Sequence, residues 1–259
     1  MNNTTPAVSI TTALLLAAGR GSRLHPFTEN MPKCLTEVSG ISILERLVNS
    51  LAKQGFKRLV VATGHMDNCI HDFLGSRIAG IDIEYVFNSR YKTTNNIYSL
   101  WLAREAIKEA FIMFESDLVF NESLLDNMVY PGKMATAHMQ PWMNGTTVTI
   151  NKSKQVQAFQ KGEIFSLHDD KYKTVNIYSF SSMSWIRIKD RLDQYICKGK
   201  VHDYYETVFA EMVADGSLNF DSVSFDEKSW YEIDTTEDLM KAEKLFKMEK
   251  YIAAELCNN

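Results

Sequence analysis

Residues 13–17, ALLLA, run apolar without a polar break. A short continuous run of this kind predicts a strand buried on both faces. A polar loop follows, and then the period changes. Leu44, Leu47, Val48 and Leu51 fall at i, i+3, i+4 and i+7, one face of a helix. Ser42 and Glu45 form a capping-box pair at its start, and Gly55 supplies a stop. The alternation then repeats. The pattern predicts strands over 57–64, 81–88 and 110–117, with helices over 66–75 and 95–107 between them. Alternating strands and helices imply a mainly parallel sheet with right-handed crossovers.

After about residue 130 the rhythm breaks. Segments 134–140, 146–150, 155–160 and 172–180 read as closely spaced strands with little helix between them. They predict a small β-rich extension or lobe over one end of the main sheet. Helices over 185–197 and 204–213 follow, then a strand near Val223. The last segment, 235–256, is an amphipathic helix with Thr235 as its N-cap. The expected fold class is α/β, a Rossmann-like mixed sheet flanked by helices. Nothing in the pattern reads as a linker, so residues 1–259 are expected to form a single domain.

Composition narrows the function classes. The chain has 259 residues, 45% hydrophobic and 23% charged, with a formal charge of −4. A general nucleic-acid binder usually needs a basic face, so no nucleic-acid partner is expected. Cys34, Cys69, Cys197 and Cys257 are scattered, with no CxxC pair. Reduced thiols in a cytoplasmic protein fit that spacing better than a disulfide framework or a zinc site. No apolar stretch approaches the roughly 20 residues of a membrane span, and the polar N-terminus does not read as a signal peptide.

Candidate chemistry begins in the loop after the first strand, AAGRGSRLHPFTENMPKCL. Two phosphate motifs fail there. A dinucleotide fingerprint needs a third glycine where Leu24 stands, and a P-loop needs Ser or Thr after its lysine, where Cys34 follows Lys33. What remains is G-x-G-x-R, then two prolines and a lysine. Gly19 and Gly21 let backbone N–H groups approach an anion. Arg23 offers a fork of donors and Lys33 a compact charge. A solvated surface loop is the competing reading, and the full spacing behind a buried strand argues against it.

The stretch from Leu14 to Leu35 resembles the signature of the nucleotidyltransferases that join a nucleoside triphosphate to a phosphorylated small molecule. Residues 87–103, 201–213 and 229–245 extend the resemblance over nearly the whole chain. Within that superfamily the chain is similar to the small cytidylyltransferases that act on phosphocholine and on 2-aminoethylphosphonate. The resemblance implies a nucleotide-binding half over about 11–130, an acceptor-binding half over about 131–235, and a C-terminal helix. It implies CTP and a small phosphonate or phosphate as substrates. Sugar-1-phosphates and a non-catalytic regulatory role are weaker alternatives. The implied nucleotide contacts are Leu16, Ala17, Ala18, Gly19, Gly21, Ser22, Arg23, Gly64, Asn95 and Ser99. Arg23 is expected on the β- and γ-phosphates, and Lys33 between the α-phosphate and the acceptor anion.

A triphosphate enzyme needs a divalent cation, here Mg²⁺, held by a few carboxylates. Glu115 with Asp117, and Glu232 with Asp234, are acids spaced i, i+2 at expected strand ends, so either pair could face one ion. The resemblance selects Asp117 and Asp234 as ligands, with Glu232 as a third. For the acceptor, Lys33 and Asn95 are implied on its anionic end. A choline headgroup would favour an aromatic cage, with Trp142, Tyr172, Tyr178, Trp185 and Trp230 as candidates against plain core packing. An aminoethyl group would instead use Asn144, Asn176, Asp203 and Glu206.

Overall fold

The computed structural model describes residues 9–141, 143–160, 171–226 and 229–257, with side chains described to residue 247. The first half contains strands β1 (Thr12–Ala17), β2 (Glu37–Val38) and β3 (Ile41–Ser42), then helix α1 (Ile43–Lys53). Strand β4 (Arg58–Thr63), helix α2 (Asp67–Leu74), and strands β5 (Arg77–Ile78) and β6 (Ile81–Phe87) follow. Helix α3 (Asn96–Ala103) and strands β7 (Phe111–Glu115) and β8 (Leu118–Phe120) complete it. The second half holds β9 (Lys133–His138), β10 (Thr147–Ile150), β11 (Val156–Gln160) and β12 (Lys171–Phe180). It ends with helices α4 (Ser182–Cys197) and α5 (Tyr205–Ala214), strands β13 (Asp221–Ser224) and β14 (Trp230–Glu232), and helix α6 (Thr236–Cys257).

Among the described residues the main sheet has ten strands. Its path is β11-β10-β12-β7-β1-β4-β6-β5, with β9 and β13 attached through β12. β7, β1, β4 and β6 are mutually parallel. β1 is buried at all six positions and sits between two neighbours, so it has no polar face to show. Its alternate residues feed opposite cores. Ala13, Leu15 and Ala17 join Leu44, Leu47, Leu51 and Ile70 from α1 and α2. Leu14 and Leu16 join Ile97 and Leu100 of α3, Trp185 and Leu192 of α4, and Phe209 of α5. Period two on the strand thus assigns each leucine to one helix layer.

The second half does not form a separate lobe over the sheet. β12 pairs antiparallel with β7, Ile177 opposite Phe114, so the sheet simply continues edge to edge. β12 is ten residues long and pairs with β7 at its C-terminal end, with β10 at its N-terminal end, and with β9 at both. Its register against β9 shifts between Thr174 and Tyr178, and Asn176 inside that break has φ +59. Asparagine tolerates this left-handed geometry better than most side chains.

Helix ends follow local chemistry. Ser42 Oγ accepts from the Glu45 N–H at 3.1 Å, which caps α1. Thr235 Oγ1 accepts from the Asp238 N–H at 3.2 Å while Asp238 accepts from the Thr235 N–H, which caps α6. α4 starts three residues earlier than the hydrophobic pattern suggests. Ser181 and Ser184 form a reciprocal capping box there, with serine at the third helical position instead of the usual Glu or Gln. α3 stops at Ala103, four residues short of expectation, and Ile107 reaches the core from the turn beyond it.

A third, smaller core positions the site. Leu24 of the glycine loop, Val119 of β8, Tyr231 of β14 and Leu239 and Phe246 of α6 pack together. β8 and β14 form their own two-stranded sheet, Glu232 opposite Leu118. Three stretches far apart in sequence are therefore fixed to one another by apolar contact: the loop, the turn holding Asp117, and the turn holding Asp234. Burying Leu24 completely contributes about 1.5–3 kcal/mol to that docking.

Candidate active site

The loop closes on itself at Gly21. Its φ is +62, and a Cβ there would stand 3.1 Å from Lys33 Cβ and 3.3 Å from Thr28 Cγ2. Thr28 Oγ1 donates to the Gly21 carbonyl at 2.8 Å. Gly21 therefore brings the start of the loop against Lys33 twelve residues later, a close approach in left-handed geometry that glycine makes without strain. Arg23, on the short 3₁₀ turn Ser22–Leu24, keeps a side chain 69% exposed, while its neighbour Leu24 anchors the turn.

Behind the loop lies an ion cluster. Lys33 Nζ donates to Asp117 Oδ2 at 2.8 Å and to Asp234 Oδ1 at 2.7 Å. Arg23 donates to the same Asp234 oxygen at 2.8 Å. Burial opposes the Lys33 charge, and the two aspartates outweigh it, so its pKa stands above the ordinary value. Burial likewise works to raise Asp234, and Lys33 and Arg23 overcome it, holding that carboxyl below its ordinary range. Asp117 Oδ1 is buried and has no hydrogen-bond partner among the described residues. Nearby, Lys173 Nζ donates to Glu232 Oε2 at 2.9 Å, and the Asn176 amide to Glu232 Oε1 at 3.4 Å.

The cavity in front of this cluster measures about 330 Å³. Its far wall is built where α3 begins. Asn88 is buried at the end of β6 and donates to Ser99 Oγ at 3.0 Å and Thr94 Oγ1 at 3.2 Å. Asn95 caps α3 and its amide reaches the His202 carbonyl at 3.3 Å. Asn96 accepts from the Tyr205 N–H at 3.1 Å and donates to Glu115 Oε1 at 3.2 Å. Burial, then Asp117, then Glu206 drive the Glu115 carboxyl well above its ordinary pKa. The cavity lies beyond the carboxyl ends of the parallel strands, the usual ligand position in such sheets.

Of the residues expected from sequence, Leu16, Ala18, Gly19, Gly21, Ser22, Arg23, Lys33, Asn95, Ser99, Asp117 and Asp234 line this one cavity. Ala17 points instead into the core under α1. A Cβ on Gly64 would stand 2.7 Å from Tyr91 Cβ and 2.9 Å from the Ala18 carbonyl, so its glycine serves close internal packing. The acceptor residues are more dispersed. Trp142 lies outside the described residues. Asn144 is exposed, Tyr172 lies tilted against His138 with ring centroids 4.5 Å apart, Asn176 is buried in β12, and Asp203 is half-buried before α5. Tyr178 and Trp185 are core residues, with Trp185 donating to the Ile107 carbonyl at 3.0 Å. Trp230 packs in the opposite core.

Arg20, Asn88, Tyr91, Thr94, Ser116 and Tyr204 also line the cavity and were not singled out from sequence. Tyr91 and Thr94 sit in an irregular turn with no periodic signal. Asn88 ends a strand, where a polar residue reads as ordinary. Among the described residues no group of three or more acids, histidines or cysteines is set as a ready metal site. No described helix is long and apolar enough to cross a membrane.

A glycine–arginine loop at the carboxyl edge of a mainly parallel sheet, with a lysine and two aspartates behind it, defines a nucleotidyltransferase. The chain belongs to the MobA-like NTP transferase domain family, which matches residues 13–159. It is 29% identical to a CMP-5'-(3-aminopropyl)phosphonate synthase of Streptomyces rubellomurinus over 93% of this chain, and spans 40% of that protein's length. It is 25% identical to the choline-phosphate cytidylyltransferase of Streptococcus pneumoniae, covering 92% of this chain and 99% of the other. A 2-aminoethylphosphonate cytidylyltransferase of Lancefieldella rimae is 26% identical over 82% of this chain and 85% of its own. The fold is also that of the solved CTP:phosphocholine cytidylyltransferase of Streptococcus pneumoniae, with a TM-score of 0.78 at 22% identity, covering 92% of this chain and all of the other.

Proposed function

We propose that the chain is a cytidylyltransferase that moves CMP from CTP to a small phosphonate, 2-aminoethylphosphonate or a similar aminoalkylphosphonate, and releases pyrophosphate. One observation carries this reading: Lys33 stands between Asp117 and Asp234 at the inner edge of a cavity whose mouth is the glycine–arginine loop. Relatives whose names specify cytidylyl transfer to aminoalkylphosphonates and phosphocholine support the choice of CTP and of a charged acceptor.

In the proposed reaction an acceptor phosphonate oxygen attacks the α-phosphorus of CTP in line. A new P–O bond forms, the α–β anhydride bond breaks, and the electron pair leaves on pyrophosphate. The acceptor oxygen is already anionic, so no side chain must act as a nucleophile. The chain's task is positioning and charge neutralisation. Lys33 offsets repulsion between the two anions. Arg23 and the loop amides hold the departing pyrophosphate. Asn95 and Ser99 face the same space from the opposite wall.

Asp117 and Asp234 suit a hard cation. Both are carboxylates held on one ammonium, and the buried Asp117 Oδ1 lacks a donor among the described residues. Mg²⁺ bound there would supply positive charge to the phosphates. Glu232 would join it only by leaving Lys173.

Glu115 on the cavity wall favours an acceptor carrying a protonated amine. Phosphocholine is the second reading, favoured by Tyr91 and Tyr204, two aromatic residues lining the same cavity where a quaternary cation would find ring faces. The test is pyrophosphate release with each of the four common ribonucleoside triphosphates against a panel of aminoalkylphosphonates, phosphocholine and sugar phosphates. Turnover with CTP and an aminoalkylphosphonate is expected. Turnover only with sugar-1-phosphates, or with none, would overturn the assignment.

A further inference from the structure

Three acids at this site face three cations from the same chain. Asp117 and Asp234 share Lys33, Asp234 also takes Arg23, and Glu232 takes Lys173. Three carboxylates thus meet three cations. Most of this charge is shielded from solvent. Side-chain exposure is 11% for Lys33, 18% for Asp117, 13% for Asp234 and 4% for Lys173. Screening by water and salt is correspondingly weak, so adding net charge to the cluster is costly.

We infer that in the absence of nucleotide these lysines hold the acids as a closed, internally neutral latch, and that a divalent cation binds Asp117 and Asp234 only together with a polyphosphate, as Lys33 leaves them. The inference rests on the proposed role of those aspartates as metal ligands. A cation entering alone would add two charges to a cluster already balanced, next to an ammonium held by two bonds. A nucleotide polyphosphate brings compensating negative charge on the same side as Arg23, whose exposed side chain would exchange its bond to Asp234 for the phosphates. Lys33 then gains an anionic partner in the bound phosphates as it gives up the aspartates. Access of metal and release of the lysine become one event, and the chain would not carry a resident ion between turnovers.

The experiment is direct titration of the whole chain with Mn²⁺, followed by electron paramagnetic resonance and calorimetry. It is run with and without CTP, on wild type, Lys33→Ala, Lys33→Met and Lys33→Arg, each checked for folding by circular dichroism and melting. Without nucleotide, Lys33→Ala and Lys33→Met are expected to bind Mn²⁺ at least about tenfold more tightly than wild type, because a buried competing charge is gone. Lys33→Arg, which keeps the charge, should stay near wild type. Asp117→Asn added to Lys33→Ala should abolish the gain. The inference is overturned if the neutral variants bind Mn²⁺ no more tightly than wild type, if wild type binds it as tightly without CTP as with it, or if the gain survives Asp117→Asn. A chain that binds no nucleotide would sink the cytidylyltransferase reading, while the Mn²⁺-only comparison would still decide the latch.

Discussion

The two ends of the cavity carry opposite electrostatics. Beside the loop end, where the His65 N–H donates to the Ala18 carbonyl, burial and then the charges of Arg20, Lys92 and His25 hold the His65 pKa below its ordinary value. Another positive charge is unwelcome there, and an anion is welcome. At the α3 end, burial and then Asp117 and Glu206 hold the Glu115 carboxyl well above its ordinary value. Another negative charge is unwelcome there, and a cation is welcome. Lys33 stands near the boundary. A cavity polarised in this way fits a nucleotide triphosphate at one end, and a zwitterion whose anionic group points inward and whose cation points to the far wall. In the proposed reaction one pocket would orient both substrates by charge before any shape is read.

The comparison can be broken most severely at the boundary. Lys33→Ala and Asp117→Asn are each expected to lower kcat at least about a hundredfold with folding intact, the scale of losing one preorganised electrostatic contact. Steady-state pyrophosphate release measures it, and near-normal turnover would refute the roles assigned. Arg23→Ala should act on the loop end alone. It should raise the KM for CTP by about tenfold, the value of one charge-assisted hydrogen bond, and leave the KM for the acceptor in place. Equal changes in both constants would mean the two ends are not separate.

Smaller effects probe the framework of each end. Gly64→Ala would force a Cβ to within 2.7 Å of Tyr91 Cβ and 2.9 Å of a backbone carbonyl. It should cost about 1–3 kcal/mol by overpacking beneath the loop, read as a lower Tm. The smallest expected effect is at the other end. The raised Glu115 pKa means that the protonated carboxyl supports the fold fully below 4.5, and that this contribution is lost as pH rises through the raised value. Glu115→Gln should therefore melt above wild type at about pH 8, in chelator, and match it near its ordinary pKa. A gap that persists at low pH would assign the effect to packing.

Legibility from sequence also differs between the two ends. The loop end is local. Gly21, Arg23 and Lys33 lie within thirteen consecutive positions, behind a strand whose unbroken apolar run requires burial on both faces. Their grouping needs only one turn of chain. The far wall is assembled from residues around 88–99, 115–117 and 204. None of these segments has a period that marks it as a site. Asn176 and Glu206 are polar residues in a strand and a helix, and nothing local says that both are buried. The aromatic residues weighed as a cage were ambiguous for the same reason. Tyr178 and Trp185 turn into the core, which sequence position alone does not decide.

What the sequence determined by itself was therefore the set of local choices. These are the alternating strands and helices, the capped starts of α1 and α6, and the phosphate-type loop with its arginine and lysine. Each depends on residues within a few positions of one another. Tertiary structure decided what those choices face. It joined the second half to β7 as a continuation of one sheet, because β12 is long enough to pair on both sides. It docked Asp117 and Asp234 onto Lys33 across 84 and 201 positions of chain, through a small apolar core shared by the loop, β8, β14 and α6. Charge pairs of that separation are set by hydrophobic packing, which acts without regard to distance along the sequence.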